Sequence, residues 1–115
     1  MPKYKVNHIG LPTKSKLDKW NTCKKVREYS GSLRYKITKD YTLLIENIEA
    51  VQRGPSEERI PGSHAQSFDF KSILNSLDPD QDPTKVSELL CFEGDYNNVG
   101  FVCAVLIDLG NVEKV

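Results

Sequence analysis

The chain has 115 residues, and its 16 basic and 16 acidic side chains give a formal net charge of zero. This length suits one domain, 38% apolar residues can form one core, and 28% charged residues argue against wholesale disorder. No apolar run reaches the ~18 residues of a membrane helix and no apolar segment opens the chain, so we expect one cytoplasmic domain over 1–115.

The first third predicts a strand, a helix and a second strand. Residues 4–9 have strand character, and Gly10 and Pro12 end it. Ser15 can cap a helix over 15–29, although apolar residues recur at every third position and the apolar stripe therefore winds around it. Residues 33–38 alternate apolar and polar side chains, which is typical of a half-buried strand.

The middle of the chain predicts a hairpin followed by a loop. Lys39 and Asp40 can close a tight turn, although they lack the glycine that favours a two-residue hairpin. Residues 41–51 fit a strand or a helix, and we favour a strand to Ile48 because a hairpin needs less loop. Residues 52–66 contain two prolines and two glycines and predict a long surface loop.

The last part of the chain predicts two helices and a strand. A helix is expected over 67–77, with Ser67 or Asp69 near its start, and a short helix follows with Asp82 as cap and Pro83 in its first turn. Residues 99–109 are nearly continuously apolar, which favours a strand buried on both faces. We therefore expect an α+β domain, with a mostly antiparallel sheet, a central C-terminal strand at 99–109 and two or three short helices.

Motifs for metals, phosphates and hydrolysis are missing. Asp78, Asp80 and Asp82 have the spacing of the first three acidic positions of a calcium loop. Pro83 and Leu89 stand where that loop needs glycine and glutamate. The chain has no C-x-x-C pair, no G-x-S-x-G elbow and no glycine-rich phosphate loop. We therefore expect no metal, no cofactor and no catalytic residues.

The three cysteines do not form a disulfide framework, because they are odd in number and widely spaced at 23, 91 and 103. We therefore expect free thiols, as in proteins of a reducing compartment. Cys23 lies beside Lys24 and Lys25, which could lower its pKa, and His8 or His64 would have to act as its base. An enzyme with an unusual site therefore stays open as an alternative.

Charge is distributed unevenly along the chain. Residues 1–40 hold eleven basic and three acidic side chains, a balance of +8, and residues 41–115 hold five and thirteen, a balance of −8. Four of the five tyrosines and the single tryptophan also lie within residues 1–41. This asymmetry indicates a charged partner. We expect binding residues at Lys24, Lys25, Arg27, Arg34, Lys36, Arg53, Arg59 and His64.

Three functions compete on this evidence. Two oppositely charged regions on one small domain favour protein–protein recognition by a non-enzymatic accessory protein, such as a phage or viral accessory protein, with self-association into a homodimer as one form. Basic and aromatic residues together also suit single-stranded nucleic acid or RNA. The neutral net charge opposes that alternative, since nucleic-acid binders are usually basic as a whole.

Overall fold

A computed structural model of the protein describes residues 3–26, 31–47, 65–90 and 96–115, with only the backbone of 96–98. Its six strands are β1 (Tyr4–Val6), β2 (Asn21–Lys24), β3 (Ser32–Ile37), β4 (Thr42–Asn47), β5 (Gln66–Asp69) and β6 (Val112–Lys114). They form a four-stranded sheet in the order β2-β3-β4-β5 and a two-stranded sheet of β1 and β6. Every pairing in the two sheets is antiparallel.

Three α-helices accompany the sheets in the described ranges. They are α1 (Phe70–Asn75), α2 (Val86–Leu89) and α3 (Tyr96–Leu109), and a single 3-10 turn spans Lys14–Lys16. The predicted class, an α+β domain with a mostly antiparallel sheet and short helices, is therefore confirmed. No helix within the described ranges is long and apolar enough to cross a membrane.

The central hairpin of the large sheet follows the sequence pattern. Leu33, Tyr35 and Ile37 are buried, whereas Arg34 and Lys36 between them are only half-buried. Alternation across a strand sends these two sets to opposite faces. The strand predicted over 33–38 is confirmed, and the strand favoured after the hairpin is confirmed over Thr42–Asn47.

The helix predicted over 67–77 is confirmed in part. Residues up to Asp69 belong to strand β5, and α1 begins at Phe70. The Asp69 carboxylate accepts a hydrogen bond of 3.3 Å from the Ser72 amide, which satisfies one of the free donors at the helix start. Phe70, Ile73 and Leu74 are buried, so the predicted apolar face does pack on the core.

The strand predicted over 99–109 is wrong, because these residues form most of helix α3. Val99, Val102, Cys103 and Leu106 are buried at helical spacing. Gly110 follows with a φ of 85°. Its amide donates to the carbonyl of Ile107, and the amide of Asn111 donates to the carbonyl of Leu106. This pair of bonds is a Schellman motif, the usual helix end at a glycine. The central strands of the sheet are β3 and β4.

The helix predicted over 15–29 is also wrong within the described residues. The 3-10 turn ends by Lys16, Asp18 has a positive φ of 57°, and β2 follows at Asn21–Lys24. A positive φ is incompatible with a continuing right-handed helix. In β2 the buried Cys23 alternates with the exposed Thr22 and Lys24, which is a strand pattern.

Several boundaries also shift. Strand β1 ends at Val6 rather than at residue 9. The short helix α2 begins at Val86 with Lys85 as its cap, so neither Asp82 nor Pro83 has the predicted role. Gln66 belongs to β5, and the remainder of the loop predicted over 52–66, apart from Ala65, lies outside the described residues.

The core lies between the large sheet and the helices. Inward-facing side chains of β3 and β4 join one buried cluster with α1 and α3 and with the two-stranded sheet. Helix α3 contacts β2, β6 and α2. The side chains of β2–β5 that alternate with the core residues therefore lie on the opposite side of the sheet from α3.

Candidate functional site

The outer sheet face is the surface formed by side chains of β2–β5 that point away from the core. Strand registers place Thr22 opposite Arg34, Arg34 opposite Glu46, and Lys36 opposite Leu44. On this face the members are Thr22, Lys24, Ser32, Arg34, Lys36, Thr42, Leu44, Glu46, Ser67 and Asp69. Its basic residues come from neighbouring strands β2 and β3.

Arg34 is engaged within this face. Its guanidinium forms a hydrogen-bonded ion pair with Glu46, the residue directly opposite on β4. Glu46 is fully buried, and the side chain of Arg34 keeps 20% exposure. A buried carboxylate needs such a partner, because leaving it unpaired in a desolvated site is costly. Arg34 therefore orders the sheet as well as contributing charge to its surface.

Lys36 is also held, through an aromatic ring. Its ammonium lies 5.8 Å from the ring centroid of Trp20, which is half-buried just before β2. This is within the range of a cation–π interaction. The contact holds Lys36 near the start of β2 and leaves its charge partly exposed.

Three more lysines extend the positive charge. Lys14, Lys16 and Lys19 are exposed in the segment that leads into β2. A backbone hydrogen bond of 2.7 Å from Asp18 to the carbonyl of Ile37 holds this segment beside the end of β3. Together with Lys24 and Lys36 these lysines make up what we call the basic strip along β2. The predicted binding residues omitted Trp20 and the three preceding lysines, although all four lie in the same basic stretch.

The predicted binding residues are brought together only in part. Lys24, Arg34 and Lys36 share the outer sheet face. Lys25 follows the end of β2, and its ammonium lies 5.8 Å from the ring of Phe101 on α3, on the core side of the sheet. The other four predictions, Arg27, Arg53, Arg59 and His64, lie outside the described residues.

Folding reduces the charge asymmetry of the sequence. Arg34 pairs with Glu46, and Lys5 lies opposite Glu113 in the two-stranded sheet, so early bases meet later carboxylates at two points. Lys39 also approaches Asp18 within 3.9 Å, with both side chains exposed. The described ranges hold thirteen basic and ten acidic residues, a balance of +3. The basic strip is therefore a local feature and not one pole of a strongly polarised molecule.

The aromatic residues of the first third do not offer free rings within the described ranges. Tyr4 and Tyr35 are buried with 3% and 2% exposure. Tyr41 carries the ammonium of Lys71 at 4.8 Å from its ring centroid, as Trp20 carries Lys36. Tyr29 lies outside the described residues. Stacking on unpaired bases needs an accessible ring face, so this arrangement is unfavourable for it.

The described cysteines are poor nucleophiles. Burial, followed by the negative charge of Asp108, raises the pKa of Cys23 to about 12. Burial raises the pKa of Cys103 to about 12 as well. The lysines beside Cys23 in sequence therefore do not lower its pKa, and both thiols remain protonated at neutral pH. Cys91 lies outside the described residues.

Polar clusters elsewhere offer little chemistry. An open cleft of about 290 Å³ is lined by Asp40, Tyr41, Thr42, Ser67, Phe68 and Asp69. Hydrogen bonds from Thr38 and then Thr42 lower the pKa of the exposed Asp40 carboxyl. A carboxyl with a lowered pKa is ionised at neutral pH and unsuited to donating a proton. In the part of the chain that the structure describes, no three His, Cys, Asp or Glu residues cluster as metal ligands.

Comparison with known proteins adds no assignment to this geometry. No protein-family model, no curated protein and no solved structure matches the chain.

Proposed function

We propose that this protein is a non-enzymatic binding protein that recognises an acidic surface of a partner protein through its outer sheet face and basic strip. One observation carries the proposal. Strand alternation directs Lys24, Arg34 and Lys36 away from the core, while helix α3 packs against the other side of the sheet. Together with Lys14, Lys16 and Lys19 of the basic strip, these residues outnumber the two carboxylates of the same face, Glu46 and Asp69. An excess of positive charge favours partners of opposite charge and speeds their encounter.

The state of the aromatic rings supports a protein partner over nucleic acid. Single-strand binders combine basic grooves with accessible rings on which bases stack. Here the ring of Trp20 is half-buried beneath Lys36, and Tyr35 points into the core. The lysine charges remain available, but no ring offers a stacking surface in the described residues. This arrangement suits the carboxylates of a protein better than the bases of a nucleic acid.

The protonated thiols argue against the enzyme alternative. A cysteine nucleophile must ionise near neutral pH, whereas burial raises the pKa of Cys23 and of Cys103 to about 12. These free, buried thiols also fit the reducing environment expected of a cytoplasmic protein. Self-association is tested separately by sedimentation velocity at several concentrations.

Charge reversal on the face tests the proposal. We would measure fluorescence anisotropy of a glutamate-rich peptide and of a single-stranded thymidine oligonucleotide at ~0.15 M salt, where weak nonspecific attraction is screened. The Lys24→Glu/Lys36→Glu variant should no longer bind the peptide. A matched control, Lys3→Glu/Lys114→Glu, has the same change in charge on exposed residues at the two-stranded sheet and should retain it.

Two results would overturn the proposal. Tighter binding of the oligonucleotide than of the peptide, lost in the Lys24→Glu/Lys36→Glu variant, would favour the nucleic-acid alternative. Equal peptide binding by both charge variants would mean that the outer sheet face is not the recognition surface. Circular dichroism of each variant establishes that loss of binding is not loss of fold.

A further inference from the structure

Among the described strands, β2 is an edge of the large sheet, and the backbone groups that do not bond to β3 can be identified. The amide of Lys25 donates to the carbonyl of Gly31 at 3.0 Å, and the two residues continue the register that pairs Cys23 with Leu33. In an antiparallel pair, hydrogen-bonded positions alternate with positions whose backbone groups point outward. The amides and carbonyls of Thr22 and Lys24 therefore point away from β3, and no other strand of the described residues pairs with them.

The side chains beside these groups differ on the two sides of the sheet. Thr22 and Lys24 are exposed on the outer sheet face, and Lys19 is exposed just before the strand. On the inner side, Cys23 is buried, and Val26 and Phe101 are half-buried and pack against the same core cluster. A strand added along β2 would therefore present alternate residues to a basic surface and to an apolar margin.

We propose that β2 is the docking edge for an extended acidic segment of the partner protein, which adds as a fifth strand. This inference rests on the proposed function and deepens it. The segment's residues opposite Thr22 and Lys24 carry carboxylates towards the basic strip, and the residue between them is apolar and lies beside Cys23. Recognition is by sheet extension, in which backbone hydrogen bonds give affinity and alternate side chains give specificity.

The opposite edge of the sheet does not suit the same segment. The amide of Phe70 donates to the carbonyl of Tyr41, so hydrogen-bonded positions on β5 alternate from Phe70. The backbone groups of Ser67 and Asp69 therefore point away from β4. Asp69 and the neighbouring Asp40 are both exposed and repel an acidic strand. Charge complementarity therefore selects β2 over β5. A nucleic acid has no repeating amide and carbonyl groups to pair with either edge.

Proline substitution separates edge pairing from simple charge attraction. Thr22→Pro removes an outward amide and leaves the bonds of β2 to β3 intact, and Ser67→Pro makes the matched change on β5. The probe is a synthetic peptide, acetyl-Thr-Glu-Val-Glu-Val-Glu-Thr-amide, titrated into the full ¹⁵N-labelled chain. Losing one backbone hydrogen bond should weaken binding about tenfold in Thr22→Pro and leave Ser67→Pro unchanged.

Amide signals of the wild-type chain give a readout that needs no variant. The peptide should shift the amide signals of Asn21–Lys24 and slow hydrogen exchange at the amides of Thr22 and Lys24. Equal affinity for the Thr22→Pro and wild-type chains, or shifts confined to other strands, would overturn docking at β2. If the Lys24→Glu/Lys36→Glu variant still lost the peptide in that case, the proposed function would stand and only strand addition would fail. If peptide binding survived both changes, the proposed function would fail as well.

Discussion

The hydroxyl of Tyr35 donates a hydrogen bond of 2.6 Å to the carboxylate of Asp108 and so joins the centre of the large sheet to the last turn of α3. Tyr35 is buried and Asp108 is exposed, so the bond lies at the boundary of the core. Burial first, and then this hydrogen bond, raise the pKa of Tyr35 above its usual value. The phenol therefore acts as a neutral donor throughout the physiological pH range.

Tyr35→Phe should lower the free energy of unfolding by about 1–2 kcal/mol, because a charge-assisted hydrogen bond is lost while the ring remains. Urea denaturation measures the difference. Tyr41→Phe is the control, since Tyr41 is half-buried and its hydroxyl has no hydrogen bond to another described residue. Equal stability of the Tyr35→Phe and wild-type proteins would mean that this bond does not hold α3 against the sheet.

Removing the cation from the Arg34–Glu46 pair should be more damaging than removing both charges. Arg34→Met should cost about 2 kcal/mol, less than a fully buried pair because the side chain of Arg34 keeps 20% exposure. The double variant Arg34→Met/Glu46→Met should recover most of that loss, because no charge is then buried. Thermal and urea unfolding of the two variants test this order, and a double variant less stable than Arg34→Met would contradict it.

The pairing of Arg34 with Glu46 depends on a turn that the sequence did not define. A two-residue turn at Lys39 and Asp40 would place Arg34 opposite Ile45. The amide of Thr38 donates to the carbonyl of Thr42 across the hairpin, so the loop between these two residues has three residues. It ends at Tyr41, whose φ of 62° lies in the left-handed region. That conformation is unusual for tyrosine and shifts the register by one residue. The alternation of β3 was predictable, but the partner of Arg34 was not.

The two wrong elements were both assigned from the composition and spacing of apolar residues. An apolar run of eleven residues fits a buried strand by composition, yet its length and the glycine at 110 favour a helix. Conversely, the lysine-rich 15–29 segment has apolar residues at roughly helical intervals, but packing of Cys23 against the core selects a strand. Tertiary contacts decided the second case. They also decided the site, where Lys24 and Lys36 share a face but Lys25 does not.

Alanine substitutions of the glycine within α3 and of the glycine that ends it should have opposite effects on stability. Gly110→Ala should destabilise the protein by about 1 kcal/mol, because alanine is strained at a φ of 85° even though no atom lies within 4 Å of its added carbon. Gly100→Ala, within α3 and equally free of neighbours, should stabilise by about 0.5–1 kcal/mol. Urea denaturation measures both, and destabilisation by Gly100→Ala would contradict the helical assignment.

Alkaline pH should destabilise the protein through its buried thiols. An unfolded cysteine has its ordinary pKa of 9.0, whereas burial raises the pKa of Cys23 and of Cys103 to about 12 in the fold. The folded state therefore keeps protons that the unfolded state releases. Each thiol should reduce stability by up to about 1.4 kcal/mol per pH unit from about pH 9 towards pH 12. This contribution is absent below the unfolded pKa.

Urea denaturation at pH values between about 7 and 10 measures that loss. The Cys23→Ala/Cys103→Ala variant provides the control, because its stability should fall less steeply with rising pH than that of the wild type, whatever its starting stability. Parallel pH profiles for the two proteins would mean that both thiols ionise normally in the fold.

Hydrogen–deuterium exchange of the full chain with and without the peptide acetyl-Thr-Glu-Val-Glu-Val-Glu-Thr-amide tests the central claim most directly. The account predicts slower exchange at Asn21–Lys24 and at Ser32–Ile37, with α3 and β6 unchanged. Protection confined to α3 or to the two-stranded sheet, with no change along β2 and β3, would contradict it.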